Sequence, residues 1–251
     1  MGALNGKVAI VTGGTSGIGE KIAELFVEEG AEVVVAARRQ EEGRALERRL
    51  GVRFIRTDVA NEVDVKAMVG RTVEWFGRID CLVNNAGVPA PMVSITEIDV
   101  ASIDQLLAIN VRGVMLGIKH VAPVMLAQGG GSIINIGSVA GLRGGASGHI
   151  YSASKAAVHS ITQTAAAELG EKGIRVNGVV PGAIVTGIFA KAAGLEGAKA
   201  DRAADAAKEL FASFQPTPRA GATEVSRAPR STSRATAQAS STATTSWSMA
   251  R

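Results

Sequence analysis

A glycine-rich segment near the amino terminus constrains the fold most, because of what stands on either side of it. Residues 8–11 form an apolar run typical of a buried parallel strand. The segment Thr12-Gly-Gly-Thr-Ser-Gly-Ile-Gly19 follows, and residues 20–29 then show a helical periodicity that ends at Gly30. This succession can cradle a phosphate, since glycine permits close approach of the backbone and a helix start attracts an anion. The pattern predicts a dinucleotide site, although a glycine turn alone would also fit an ordinary tight turn.

The end of the second predicted strand bears on which dinucleotide is bound. Residues 32–36 form this strand, and Ala37-Arg38-Arg39 follows it. In dinucleotide folds this strand tip contacts the adenosine ribose, and an acidic side chain there accepts from the 2′-hydroxyl. Ala37 cannot accept, whereas Arg38 can pair with a 2′-phosphate. We therefore predict NADP, with NAD as the alternative; both arginines would also fit a solvated charged surface.

Two further predicted strands end in residues that suit the same nucleotide. The strand at residues 53–56 leads to Asp58 and Val59, which places a carboxylate near an adenine. The strand at residues 80–83 runs into Asn84-Asn85-Ala86-Gly87. These strands predict the α/β class, with one doubly wound parallel sheet of the Rossmann type in a single domain.

The only tyrosine of the chain, Tyr151, stands four residues before Lys155, and Ser138 precedes it by thirteen residues. On a helix, Tyr151 and Lys155 share one face. The lysine cation can favour the phenolate and so lower the tyrosine pKa from its usual value of about 10. The Ser138 hydroxyl could hold a substrate oxygen beside the phenol. This arrangement suits an enzyme that interconverts alcohols and carbonyls, although the Tyr–Lys spacing alone would fit an ordinary helix turn.

In order and spacing these motifs resemble the short-chain dehydrogenase/reductase family over residues 5–225, the expected oxidoreductase domain. The resemblance implies that Tyr151 is the general acid/base, that Ser138 orients the substrate oxygen and that Lys155 lowers the tyrosine pKa. It also implies that Asn110 holds a helix bend and a water in the proton relay. The residues expected to bind the cofactor are Gly13, Thr15, Ser16, Gly17, Ile18, Gly19, Arg38, Asp58, Val59, Asn85, Ala86, Gly87, Tyr151, Lys155, Pro181, Gly182 and Thr186.

The function that follows is hydride transfer between NADP(H) and a secondary alcohol or ketone. One alternative is an NAD-dependent dehydrogenase of a sugar, steroid or cyclic diol. Another is a nucleotide-binding protein without turnover. The segment at residues 183–214, after Pro181-Gly182, is expected to form a mobile helical lid over the substrate. The substrate itself stays open.

The composition of the chain limits the kinds of partner that we expect it to bind. No apolar run reaches the ~18 residues of a membrane span, and the first seven residues do not resemble a secretory signal. The single cysteine, Cys81, cannot form an internal disulfide, and no second ligand accompanies the three histidines at metal spacing. We expect a cytoplasmic protein with a small-molecule substrate, no metal, and no nucleic-acid or membrane partner. The resemblance implies a homotetramer or dimer.

The last 26 residues, 226–251, differ abruptly in composition, with seven Ser, five Thr, six Ala and four Arg but no acidic residue. Those arginines equal the formal net charge of +4, so basicity belongs to this tail and not to the enzyme body. The family's closing motif, Val-x-Gly-x-x-Leu-x-Val-Asp-Gly, is missing. Read in a shifted frame, residues 241–250 can encode Val-Asn-Gly-His-Asp-Leu-Val-Val-Asp-Gly, with two letters forced by Trp247 and Met249.

We therefore interpret the tail as a frameshifted terminus; a natural disordered, low-complexity terminus is the alternative. A frameshift would remove the last strand of the sheet and expose unpaired backbone groups at its edge. It would also put the family's oligomeric assembly in doubt. A weaker alternative makes the basic tail an interaction module. The predicted catalytic residues all precede this break.

Overall fold

In the computed structural model of the protein, residues 2–182 and 184 are described. Strands and helices alternate along this part of the chain, which accounts for a parallel sheet with crossover helices. Their bounds are β1 Val8–Thr12, α1 Gly17–Glu28, β2 Glu32–Ala37, α2 Gln40–Leu50, β3 Arg53–Arg56, α3 Glu62–Phe76, β4 Cys81–Asn84, α4 Val100–Leu107, α5 Gly113–Ala127, β5 Gly131–Ile136, α6 His149–Leu169 and β6 Ile174–Val179.

The six strands of the described region form one sheet in the order β3-β2-β1-β4-β5-β6. Every pair is parallel, and the register sets Val8 opposite Glu32 and Ala9 opposite Cys81. The chain leaves β1 towards one edge and returns at β4 to build the other half. The predicted doubly wound α/β sheet is confirmed.

Alternate strand residues point to opposite faces of the sheet and build two cores. On one face Ile10, Val34 and Leu82 pack with α3, α5 and the end of α6, whereas on the other Val11 and Val35 pack with α1 and α2. All five residues are fully buried. Burial on both sides explains why the strands read as continuous apolar runs.

The predicted strands at residues 8–11, 32–36, 53–56 and 80–83 all exist, with ends that differ by at most one residue. The first helix differs more: α1 begins at Gly17, three residues before the predicted start at Glu20. Gly17 and Gly19, which were assigned to the turn, therefore belong to the first turn of α1. Helical periodicity could not reveal this, because glycine has no side chain to show it.

The helical stretch Val100–Ala127 is more apolar on average than its short uninterrupted apolar runs suggest. Helical residues Val100–Ala127 span 28 residues with a mean hydropathy of 1.2, which by length and composition alone would suffice to cross a membrane. The core helix of a soluble protein passes the same test, and in this fold Val121 and Met125 are buried against the sheet. No uninterrupted apolar run of this length exists, because Asp104, Arg112 and Lys119 break the stretch without lowering its average below this threshold.

Several predictions concern residues outside the described part of the chain. These are the nicotinamide contact of Thr186, most of the lid at residues 183–214, the tail at residues 226–251 and the absence of a last strand. Ile184 is described and buried.

Candidate active site

The sheet order reverses between β1 and β4, and the carboxyl ends of these strands meet at that point. In open α/β sheets the crevice at such a reversal is where ligands bind. The glycine turn follows β1, and Asn85 and Ala86 follow β4. Their proximity is direct: the Asn85 side chain donates to the Thr12 and Gly13 carbonyls at 2.9 and 3.2 Å. The structure therefore brings two predicted nucleotide motifs together.

Thr12, the last residue of β1, also links the ends of β1 and β4. Its Oγ1 donates to the Val83 carbonyl at 3.2 Å and accepts from the Asn85 and Ala86 N–H groups at 3.0 and 3.1 Å. A buried hydroxyl with three partners is a strong local constraint. Thr12 was not among the predicted site residues, although it opens the glycine motif. Its position at the end of a buried strand is the signal that could have found it.

The glycines of the turn are required by close packing. Gly13 has φ +65°, and a Cβ there would stand 2.8 Å from the Ala86 Cα. A Cβ on Gly19 would overlap the Asn85 amide and lie 2.5 Å from the Gly13 oxygen. The turn is thus folded tightly against Asn85 and Ala86.

The start of α1 suits a phosphate. The first N–H groups of a helix have no carbonyl four residues earlier to bond. Ser16, the residue before the helix, is extended at φ −165° and its side chain makes no capping hydrogen bond. The N–H groups of Gly17, Ile18 and Gly19 are therefore able to bind an anion, which the positive end of the helix dipole also favours. The residues present fit the pyrophosphate of a dinucleotide.

Substituting Gly19 by Ala is expected to destabilise the fold by about 2 kcal/mol, because the added methyl group overlaps a packed amide. It should also weaken nucleotide binding. Gly70→Ala is the matched control: nothing lies within 4 Å of a Cβ there, and the position is inside α3. The control should be stabilising by about 0.5 kcal/mol. Thermal unfolding and nucleotide titration of the two variants measure both effects, and a Gly19→Ala protein as stable as the control would contradict the packing argument.

At the tip of β2 the two arginines have different environments. Arg38 is exposed, whereas the Arg39 guanidinium donates to the Thr15 carbonyl and hydroxyl at 3.1 and 3.3 Å. Arg39 also lies 3.4 Å from the Glu42 carboxylate. Arg39 thus holds the glycine turn in place, a role that the sequence did not assign to it. Arg38, the predicted partner of a 2′-phosphate, extends from the same strand end into solvent.

Asp58 and Val59 follow β3, one strand further out. The Asp58 carboxylate accepts from the Ala60 N–H at 3.0 Å, and its own N–H donates to Asp64 at 2.9 Å. Val59 is buried, and a Cβ on Gly113 would stand 2.9 Å from its Cγ2. The turn after β3 is therefore rigidly held against α5. Contact of these two residues with an adenine stays a prediction.

The predicted catalytic side chains lie on two neighbouring elements. Ser138 follows β5 and its hydroxyl accepts from the Ala140 N–H at 3.2 Å. Tyr151 and Lys155 lie on α6, and the Ser138 hydroxyl is close enough to the Tyr151 phenol to influence its pKa. The Lys155 ammonium donates to the Ile136 carbonyl at 2.8 Å and stands 5.6 Å from the Tyr151 ring centroid. The structure brings Ser138, Tyr151 and Lys155 into one cluster.

Burial dominates the ionisation of this cluster. It raises the pKa of Tyr151 above its usual value, while the Ser138 hydroxyl acts in the lowering direction. It lowers the pKa of Lys155 to about 8. The Tyr–Lys spacing had suggested a lowered tyrosine pKa, and in this structure the direction is opposite. The reason is that taking the phenolate out of water costs more than its polar neighbours return.

Asn110 lies where α4 passes into α5 through a π-helical turn, Ala108–Arg112. Its side chain exchanges two hydrogen bonds with the Val88 backbone, at 2.8 and 2.9 Å, and donates to the Ser154 hydroxyl at 3.1 Å. Ser154 in turn donates to the Tyr151 carbonyl at 2.7 Å. The widened turn agrees with the predicted helix bend, and Asn110 ties the loop after β4 to the catalytic helix. Its part in a water relay stays a prediction.

The nucleotide and catalytic parts meet at Gly87. A Cβ there would lie 3.3 Å from the Asn110 Oδ1 and 3.6 Å from the Lys155 Nζ. On the far side of the cluster the Pro181 carbonyl accepts from the Val139 N–H at 3.1 Å, which places Pro181-Gly182 beside Ser138. The crevice expected at the reversal of the sheet is therefore bordered by the glycine turn, Gly87, Lys155 and Tyr151.

His159 on α6 is a residue of the site to which the sequence analysis gave no role. Its Nε2 lies 3.0 Å from the Ser138 carbonyl oxygen. Its spacing of four residues from Lys155 was the signal, since both side chains then share one face of α6. Within residues 2–182 and 184 no group of three or more His, Cys, Asp or Glu side chains could hold a metal ion.

Comparison with known proteins points the same way. The short chain dehydrogenase family model matches residues 7–195. (+)-Borneol dehydrogenase 2 of Salvia officinalis is 46% identical over 190 residues, which cover 74% of this chain and 67% of that protein. Tropinone reductase-like 1 of Erythroxylum coca is 44% identical over 190 residues, covering 74% and 70%.

A solved structure is similar over a greater length. The crystal structure of levodione reductase superposes with a TM-score of 0.80 at 33% identity and covers 88% of each chain. The chain therefore belongs to the short-chain dehydrogenase/reductase family, as an NAD(P)-dependent oxidoreductase of alcohols and ketones.

Proposed function

We propose that this protein transfers hydride between NADP(H) and a cyclic secondary alcohol or ketone, with Tyr151 as the general acid/base. The observation that carries the proposal is the contact of Ser138, Tyr151 and Lys155 at one end of the glycine crevice. A phenol next to a hydroxyl can bind one substrate oxygen from two sides. The crevice leads from this point to an anion-binding helix start, as a dinucleotide requires.

The bound nicotinamide supplies the hydride chemistry. Tyr151 moves the proton: its phenolate takes the alcohol proton in oxidation, and its neutral phenol gives a proton to the developing alkoxide in reduction. Ser138 holds the same oxygen by a hydrogen bond, and the Ala140 N–H fixes the serine hydroxyl in turn. Proton transfer and alignment at one oxygen together supply the catalysis that this chain's residues contribute.

Lys155 stabilises the Tyr151 phenolate by its charge. Its buried ammonium is held by the Ile136 carbonyl and faces the Tyr151 ring. Below about pH 8, where Lys155 keeps its proton, this cation is the nearest opposite charge in the described cluster to a phenolate formed during turnover, which lowers the cost of that phenolate. Asn110, through Ser154, keeps the helix turn of Tyr151 in register with the loop after β4.

The choice of NADP over NAD rests on the tip of β2. Ala37 ends the strand and offers no acceptor to a ribose 2′-hydroxyl. Arg38 is exposed at the next position, and Arg39 is engaged with Thr15. A guanidinium that is free of the turn and adjacent to the ribose position can pair with a 2′-phosphate in a bidentate manner. In the NAD-preferring alternative, Arg38 would make no such contact, because NAD has no 2′-phosphate.

Arg38→Ala is expected to weaken NADPH binding by about tenfold or more while NADH binding changes less than about twofold, since a charged hydrogen bond contributes roughly 1.5–3 kcal/mol. Arg48→Ala removes another exposed arginine, at the far end of α2, and serves as the control for net charge. Nicotinamide fluorescence titration of wild type and both variants measures all six affinities. Equal losses for the two nucleotides, or a wild type that prefers NADH, would contradict the assignment.

The proposed substrate class follows from the surroundings of Tyr151 and from the relatives. The loop after β4 reaches the start of α6, where a Cβ on Gly148 would stand 2.6 Å from the Pro91 oxygen. It then exposes Met92 and Val93, and Leu142 is exposed on the loop after Ser138. Apolar side chains at the mouth of a site favour an apolar substrate body. Borneol and tropinone, which name two relatives, are cyclic compounds of this kind.

Turnover tests the proposal directly. We expect oxidation of (+)-borneol or cyclohexanol with NADP⁺, or reduction of tropinone or cyclohexanone with NADPH, followed by absorbance at the nicotinamide band. Faster turnover of polar sugars or diols with NAD⁺ would favour the alternative dehydrogenase. Nucleotide binding without turnover of any member of the panel would favour a binding protein.

A further inference from the structure

We propose that His159 is a positioning residue for Ser138: its imidazole fixes the Ser138 carbonyl and so keeps the serine hydroxyl beside Tyr151. The inference rests on the proposed role of Ser138. His159 Nε2 lies 3.0 Å from the Ser138 oxygen. Because a carbonyl oxygen can only accept, Nε2 carries the proton in this contact.

The turn around Ser138 is shaped to admit the imidazole. A Cβ on Gly137 would overlap the His159 Cε1, and a Cβ on Gly141 would stand 2.9 Å from its Cδ2. Glycine on both sides of Ser138 therefore lets the ring approach the backbone. The ring lies against the turn at Gly137, Ser138 and Gly141.

This contact is one of two that α6 makes with the backbone around Ser138. Lys155 donates to the Ile136 carbonyl at 2.8 Å, and His159, one helical turn later, lies at the Ser138 carbonyl. On the opposite side of the same backbone, the N–H groups of Gly137 and Val139 donate to the Val179 and Pro181 carbonyls at 2.8 and 3.1 Å. The backbone on either side of the Ser138 side chain is thus fixed from two directions.

Without the imidazole, the Ser138 carbonyl would keep one described protein donor, the Gly141 N–H at 3.0 Å. Within the described part of the chain, the peptide after Ser138 would then be held only by this bond and by the bond from the Val139 N–H to the Pro181 carbonyl, so its orientation would be less tightly fixed. Ser138 is extended, at φ −167° and ψ 152°, and a shift of this peptide would move the turn that orients its hydroxyl. His159 therefore acts on the reaction through Ser138 and has no need to touch substrate.

The test compares His159→Leu, which removes the donor, with His159→Gln, whose amide can replace Nε2 at similar reach. His159→Leu is expected to lower kcat/KM by about tenfold, mainly through kcat, as the loss of one hydrogen bond would. His159→Gln should recover activity to within about threefold, and NADPH affinity should not change in either variant. His120→Leu is the matched control, since His120 bonds to Glu62 at 2.9 Å instead of to the site.

A double-mutant cycle separates positioning from a general structural role. In a Ser138→Ala background, His159→Leu should change kcat/KM by less than about twofold, because the group through which it acts is gone. The same tenfold loss in both backgrounds, or no loss in wild type, would overturn the inference. A Ser138→Ala enzyme with unchanged activity would instead contradict the proposed function.

Amide hydrogen exchange tests the contact without any substrate. Residues 137–142 should exchange faster in His159→Leu than in wild type, whereas the glutamine variant and His120→Leu should match wild type. Equal exchange rates in the leucine variant and wild type would overturn the inference.

Discussion

Tyr151→Phe is expected to lower kcat by about a thousandfold, in the range for the loss of a positioned general acid/base. The ring is retained, so its packing with Ala90 and Ile150 persists and the fold should be unaffected. NADPH affinity should stay within about tenfold of wild type, because at most one hydrogen bond to the nucleotide is removed. Steady-state kinetics beside a fluorescence titration measure both quantities. A variant that keeps more than about a tenth of the wild-type kcat would exclude Tyr151 as the proton carrier.

The kcat/KM values for oxidation and reduction are expected to depend on pH in opposite ways. Burial raises the pKa of Tyr151, so the phenolate fraction in the free enzyme keeps increasing with pH up to and beyond 10, the usual value of the group. Oxidation needs the phenolate, so its kcat/KM should rise through this range. Reduction needs the neutral phenol, so its kcat/KM should fall only at the alkaline end. Limbs of the same sign in the two directions would contradict one shared acid/base.

Lys155→Met is expected to change how stability depends on pH in the protein without nucleotide. Burial lowers the pKa of Lys155 from 10.5 to about 8. Between these values the unfolded chain binds more protons than the folded one, so the free energy of unfolding of wild type rises with pH across this window. At pH 7 the buried cation costs about 3 kcal/mol, and near pH 10.5 that cost has vanished.

Urea unfolding of wild type and Lys155→Met at pH 7 and pH 10 measures this difference. We expect wild type to gain about 2–3 kcal/mol relative to the variant on going to the higher pH. Lys66→Met, at an exposed position of α3, reports the effect of losing a lysine charge at the surface. The same difference between wild type and Lys155→Met at both pH values would mean that Lys155 is not desolvated.

Much of this arrangement could be predicted from the sequence because it is built from local patterns. Apolar runs marked the strands, and the four-residue spacing of Tyr151 and Lys155 placed both on α6. Parallel strands then force their carboxyl ends to one edge, which brings the glycine turn near Asn85 without further information. Local periodicity and one topological rule account for this agreement.

What the sequence did not show depends on contacts between distant segments. Arg39 faces Thr15, 24 residues away, and His159 faces the Ser138 carbonyl, 21 residues away. A backbone carbonyl as partner leaves no trace in the side-chain pattern. The direction of the Tyr151 pKa was also wrong, because spacing gives the neighbouring cation but not the degree of burial that opposes it.

The most direct test of the account is hydride transfer from a labelled substrate. The full-length protein would be incubated with NADP⁺ and (+)-borneol or cyclohexanol carrying deuterium at the carbinol carbon, beside Tyr151→Phe. The account predicts deuterium at C4 of the reduced nicotinamide with wild type and almost none with the variant. Tight NADPH binding without deuterium transfer in wild type would contradict it and leave a nucleotide-binding protein without turnover.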